Sequence, residues 1–291
     1  MALYAPWSLI NFQEKNNDLM FYDIPGDIVF RKNSHTQLLD FILKHHIFPE
    51  MSIFRTDAFR RTPPVTGDIA FWPFTNITHW LTIGDVFFQK QSFYYVSVTY
   101  FKDTPRDRPQ EGNEQVEYAW DQYRGGLEYL LGRCMPTIDT RTLEIFMLRM
   151  NEFIAIRMSV ALRLRIANKR NPIEIYQLAA RLCGIGRSDL LPISYNEIKS
   201  TAAIWYLGND RDLTRGKSII LMVGGFDERI VAHVRHLTKL DVLAENTFSG
   251  RHSNAIHLLK AGLKLNQDEL IKIRLQGSTV VNELDLMQRF F

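Results

Sequence analysis

The sequence predicts an α+β protein with a β-rich N-terminal part, a helical middle and a mixed C-terminal part. Three observations carry this. Residues 1–101 are crowded with aromatic and β-branched side chains, and Tyr95, Ser97 and Thr99 alternate with Val96, Val98 and Tyr100. Residues 116–215 hold apolar side chains at helical spacing, with the longest pattern from Thr140 to Lys169 free of Gly and Pro. The apolar run Ser218–Val223 then reads as a buried strand that Gly224-Gly225 turns into a helix.

In chain order, Ser34 is placed to cap a helix carrying Leu38, Leu39, Ile42 and Leu43. Asp68–Ile83 is rich in β-forming residues and is read as extended, punctuated by Pro73. Val86–Phe101 reads as two strands joined near Lys90 and Gln91. Lys102–Gln115 has no large apolar residue but has Pro105, Pro109 and Gly112 among charges, so it is expected to be an exposed linker or loop. The expected organisation is a β-rich region at 1–101, this linker at 102–115, a helical region at 116–215 and a mixed α/β region at 216–291.

Within the helical region, Val116–Cys134 holds one or two helices around Gly125-Gly126, and Asp139 or Thr140 caps the long helix. Pro172 fits the first turn of the next helix, which ends near Gly184 and Gly186. Ser194 and Glu197 have capping-box spacing before Tyr195–Leu207. In the last region helices are expected over Asp227–Leu240 and Ser253–Gly262, with a short one starting at Asn266–Glu269.

Composition excludes several classes. Hydrophobic residues are 46% and charged residues 23%, ordinary globular values that argue against disorder. Apolar runs such as Ile219–Val223 are far short of the roughly 20 residues of a membrane span. The first residues lack a basic segment followed by an apolar run, so no secretory signal is expected. Two cysteines, Cys134 and Cys183, make no disulfide framework and fit a reducing compartment. A net charge of +3 is too balanced to imply a polyanion partner by itself. Aromatics are 12%, and such rings serve interfaces as well as cores.

The chemical motifs are fragmentary. Gly216-Lys217-Ser218 matches the end of a phosphate-binding loop, but position 211 is Arg where that loop needs Gly, and a strand follows instead of a helix. Val223-Gly-Gly-Phe-Asp227 could offer backbone N–H groups to an anion, or be a tight turn with Asp227 as a helix cap. His233, His236, His252 and His257 have no carboxylate or cysteine completing a familiar zinc pattern. Cys134 reads as a buried thiol before a nucleophile. Asn76-Ile-Thr78 is a glycosylation sequon. No cofactor is implied, and the expectation is a protein that is not an enzyme.

The most unusual feature is basic. Arg141–Arg170 holds seven basic residues against two acidic ones. At about 100° per residue the arginines wrap around the helix and form no single stripe. They are therefore expected to tie neighbouring helices, loops or another subunit, with RNA contact as the alternative. Interface candidates are Arg157, Arg163 and Arg165, together with the aromatics Trp72, Trp80, Tyr94, Tyr95 and Tyr100.

The order of Thr140-Arg141, Arg149-Met150, Phe153-Ile154, Gly186-Arg187, Ile193-Ser-Tyr195 and Ala202-Ala203 carries a family likeness. It is similar to the helical segment of the clamp, or large protrusion, protein of turreted double-stranded RNA viruses of the cypovirus type. The resemblance spans Thr140–Leu207 and implies a structural protein of the virion that cements neighbouring capsid shell subunits. It implies a large shell protein as partner, with copies of the chain itself as further partners, assembly in the host cytoplasm and no catalytic residue. The alternatives are an RNA-binding viral nucleoprotein and an enzyme without a recognisable motif.

Overall fold

The computed structural model describes residues 1–11, 19–20, 22–63, 69–98, 114–238 and 240–290. The protein is α+β, as its sequence predicts. It divides into two compact units, residues 1–167 and 168–291, so the helical region 116–215 is shared between them. The expected linker 102–115 lies outside the described residues as far as position 113.

Unit 1 contains β1 (Ala2–Tyr4), β2 (Trp7–Asn11), β3 (Leu19–Met20), β4 (Ile28–Phe30), α1 (His35–His45), β5 (Ser52–Phe54), α2 (Thr56–Arg60), α3 (Trp72–Ile83), β6 (Val86–Phe88), β7 (Tyr94–Val98), α4 (Glu114–Cys134) and α5 (Thr140–Ala167). Its four-stranded sheet has the order β4-β6-β1-β5, and its three-stranded sheet the order β3-β2-β7. The two strands expected on either side of Lys90 are present as β6 and β7, but they join different sheets.

Alternation sends Tyr4, Phe30 and Phe88 to one face of the first sheet, where all three are buried. The Phe88 ring lies 5.1 Å from Tyr4, 5.8 Å from Phe30 and 5.3 Å from Phe41 of α1. Helix α1 forms where its apolar spacing predicts, with Leu38, Leu39, Ile42 and Leu43 buried. Ser34 stands at its N-cap, but its hydroxyl donates to the Arg31 carbonyl and not into the helix.

The extended reading of Asp68–Ile83 is overturned over most of its length: Trp72–Ile83 is helix α3. Pro73 lies in its first turn, where a missing N–H costs nothing. Phe74, Ile77, Trp80 and Leu81 then fall on one face and are buried, so burial outweighs the β preference of these residues. Gly125 and Gly126 inside α4 are explained by this neighbour. A Cβ on Gly125 would stand 2.0 Å from the Ile69 carbonyl oxygen, so only glycine lets this segment approach the helix. The Phe71 N–H donates to the Gln122 carbonyl at 2.8 Å in the same contact.

Helix α5 starts as expected, with the Asp139 carboxylate accepting the Thr142 N–H at 2.7 Å. In its first half one face is buried, through Phe146 and Met150, and burial widens in the second half. Phe153, Ile154, Ala155 and Met158 to Leu162 are buried, while Ile145, Met147 and Leu148 are exposed.

Unit 2 contains α6 (Pro172–Gly184), α7 (Tyr195–Asn209), α8 (Arg211–Thr214), β8 (Ile219–Val223), α9 (Glu228–Leu237), β9 (Asp241–Glu245), β10 (Ala255–Leu259), α10 (Gln267–Leu275), β11 (Thr279–Asn282) and α11 (Glu283–Phe290). The caps at Ser194, Asp227 and Asn266 follow the sequence signals, and Asn171 adds one ahead of Pro172. Asn171, Ser194 and Asp227 each accept a first-turn N–H, and Asn266 with Glu269 closes a capping box.

The helix expected over Ser253–Gly262 is instead built around the strand β10. Five buried residues, four of them apolar, are too few to show a period that separates helix from buried strand. Tertiary pairing decides it: β10 sits between β8 and β11 in an all-parallel sheet of order β11-β10-β8-β9. Ile220, Met222, Ile256 and Leu258 pack with Ala203, Leu207, Val234 and Leu286 of α7, α9 and α11. Leu221, Val223, Ala255 and Leu259 pack with Phe248, Leu263 and Leu265 on the other face.

Candidate interaction surface

The outer face of the first sheet is built by strand alternation. With one set of residues turned to the core, Leu3, Val29, Ile53 and Phe87 must point the other way. The register pairs Leu3 with Ile53, Leu3 with Phe87 and Val29 with Phe87. An unbroken apolar row, Ile53–Leu3–Phe87–Val29, therefore crosses all four strands. Ile53 is 58% exposed and Val29 48%, with Leu3 and Phe87 partly exposed between them. Charged pairs border the strand ends: Arg31 with Asp85 at 2.8 Å and Arg55 with Asp57 at 3.0 Å. An apolar centre with a polar rim has the composition of a protein contact.

Strand β5 is an edge of this sheet. The Arg55 N–H donates to the Met1 carbonyl at 3.2 Å, while the Met1 amine donates to the Asp85 carbonyl, so by antiparallel alternation Leu3 and Ile53 form the next hydrogen-bonded pair of the ladder. The main-chain groups of Ser52 and Phe54 consequently point away from β1. The Phe54 ring stacks on Phe59 of α2 at 5.1 Å, and both rings are partly open to solvent.

The sequence candidates are dispersed. Trp72 is 47% exposed at the start of α3. Trp80 is corrected from interface to core: it is 1% exposed, its ring lies 4.8 Å from Phe54, and its indole N–H donates to the Thr62 hydroxyl at 2.9 Å. Tyr94 and Tyr95 are exposed on β7, an edge of the other sheet of unit 1. Tyr100 lies outside the described residues. Arg157, Arg163 and Arg165 are half-buried on α5. Sequence reasoning missed Leu3, Val29, Ile53 and Phe87 because three-residue strands are too short to show alternation.

Arg157 belongs to a cluster in the helical layer of unit 1. Its guanidinium lies 4.3 Å from the centre of the Phe48 ring, which also meets Tyr123 at 5.0 Å and Phe153 at 5.0 Å. His46 stacks on Phe153 at 5.4 Å, and burial together with Arg157 lowers its pKa. Burial pushes the Glu50 carboxyl up to about 7, against the opposing pull of Arg157. Burial and Glu50 push the Tyr123 phenol up to about 12.

The other motifs have structural roles. Lys217 donates to the Gly277 carbonyl. The Asp227 carboxylate accepts the Arg229 N–H at 2.8 Å and so occupies the helix end that an anion would need. Gly224 takes φ +113 in the turn after β8, and a Cβ there would meet the Lys260 side chain at 2.9 Å. Asn76 of the sequon is buried in α3, which closes it to glycosylation in the folded chain. Cys134 is buried, and burial raises its thiol pKa above the ordinary value. Among the described residues no three or more His, Cys, Asp and Glu side chains converge to hold a metal ion, and no helix is long and apolar enough to cross a membrane.

No protein-family model, curated protein or solved structure matches the chain.

Proposed function

We propose that the chain is a structural contact protein that clamps neighbouring shell subunits of an icosahedral double-stranded RNA virus. It works through extended surfaces and not as an enzyme. The observation that carries the contact role is the exposed apolar row Ile53–Leu3–Phe87–Val29 across the outer sheet face. The likeness of Thr140–Leu207 to the clamp proteins supplies the viral setting. A large capsid shell protein is then the partner, with copies of this chain as further contacts, in the virion and in the host cytoplasm during assembly. The half-buried state of Arg157, Arg163 and Arg165 supports a structural use of the basic helix over RNA contact.

Coexpression with a much larger shell protein of such a virus tests this. The chain should copurify with it in a fixed ratio. The double substitution Val29→Lys and Ile53→Lys should abolish that ratio and leave the melting temperature unchanged, because edge strands tolerate lysine. A chain that ignores the shell protein but binds RNA on a sizing column, with steep salt dependence, would replace this reading with the nucleoprotein one.

A further inference from the structure

We infer that the β5 edge receives an extended, acidic segment of a partner protein, which adds to the sheet as a fifth strand. Three features of unit 1 converge there. The main-chain groups of Ser52 and Phe54 point outward at the sheet edge, offering both donors and acceptors. An added strand pairs with both kinds of group in register, whereas the phosphodiesters of a nucleic acid supply acceptors alone. On one side of the edge, Ile53 opens onto the outer apolar row. On the other, the Phe54–Phe59 stack gives a second apolar contact.

Charge selects the occupant. Arg60 and Arg61 follow Phe59 and are exposed. Within residues 51–63 the acidic side chain is Asp57, and both its oxygens are taken by Arg55, at 3.0 and 3.1 Å. A strand laid along β5 with an acidic end beside α2 would meet Arg60 and Arg61. Main-chain pairing supplies the affinity, and alternate side chains and the carboxylates supply the selectivity.

This shares with the proposed function the premise that the sheet makes contacts, and it is read without any shell protein, so either can fail alone. The experiment titrates the full chain with a fluorescein-labelled peptide of alternating valine and glutamate and follows anisotropy. Controls are a valine–lysine peptide, the valine–glutamate peptide N-methylated at alternate amides, and a single-stranded oligouridylate. The acidic peptide should bind, and the three controls at least tenfold more weakly. Arg60→Glu with Arg61→Glu should weaken the acidic peptide at least tenfold with the melting temperature unchanged. Equal binding of the lysine or N-methylated peptide, or no binding of the acidic one, overturns the inference. Preferential capture of the oligouridylate overturns it in favour of a nucleic-acid surface.

Discussion

The Arg157 guanidinium sits over the face of Phe48, 4.3 Å from the ring centre, at a point where α5 meets the chain leaving α1. The same cation is the one that opposes the burial penalty on Glu50. One arginine thus serves an aromatic face and a half-buried carboxyl together, a use that its flat, permanently charged fork suits.

Charge reversal at this position is therefore a folding defect. Arg157→Glu would place a second carboxylate beside Glu50 and remove the cation from Phe48. We expect a loss on the order of 2–4 kcal/mol by urea unfolding, with the acidic pair as its main cause. A variant with unchanged unfolding would show that Arg157 is a surface residue.

Glu50 sets a pH dependence of known sign. Its folded pKa is near 7, above the ordinary carboxyl value, so between about pH 4.5 and 7 the folded state binds more protons than the unfolded one. Its contribution is most favourable below that window and is lost as pH rises through 7. Glu50→Gln should flatten this slope and raise stability at pH 8 by on the order of 1–3 kcal/mol relative to the parent. Parallel stability–pH curves for the two proteins would contradict it.

His257 has the opposite sign. It is buried in β10, neither ring nitrogen has a hydrogen-bond partner among the described residues, and burial lowers its pKa. The unfolded state then takes up protons first as pH falls below about 6.5, so stability is lost on acidification. His257→Leu removes the unpaired polar group and should raise stability at pH 7 by about 1 kcal/mol, and by more at pH 5.5. Equal or lower stability at both pH values would be evidence for a partner that the imidazole needs.

The two tryptophans of α3 separate core from surface. Trp80→Ala empties a fully buried site and should cost about 3–5 kcal/mol. Trp72→Ala, at a half-open site, should cost less than about 1 kcal/mol. Thermal and urea unfolding of the pair read the difference directly, and equal losses would refute the assignment.

Local chemistry was legible from the sequence, and long-range pairing was not. Asp139, Ser194, Asp227 and Asn266 mark helix starts because a capping side chain meets an N–H two or three residues away, a contact that needs no other part of the chain. Helices α1, α5 and α7 were legible because eleven or more residues let a 3.6-residue period show. Only the tertiary structure decided that Trp72–Ile83 is a helix and Ala255–Leu259 a strand. In both, burying several large side chains is worth more than the propensity difference between the states, at about 25 cal/mol per Å² of apolar surface. The contact surface was hidden for the same reason. Whether Ile53 or Phe54 faces the core depends on the register of β5 against β1, which pairs residues about fifty positions apart, and a slip of one residue would exchange the two faces.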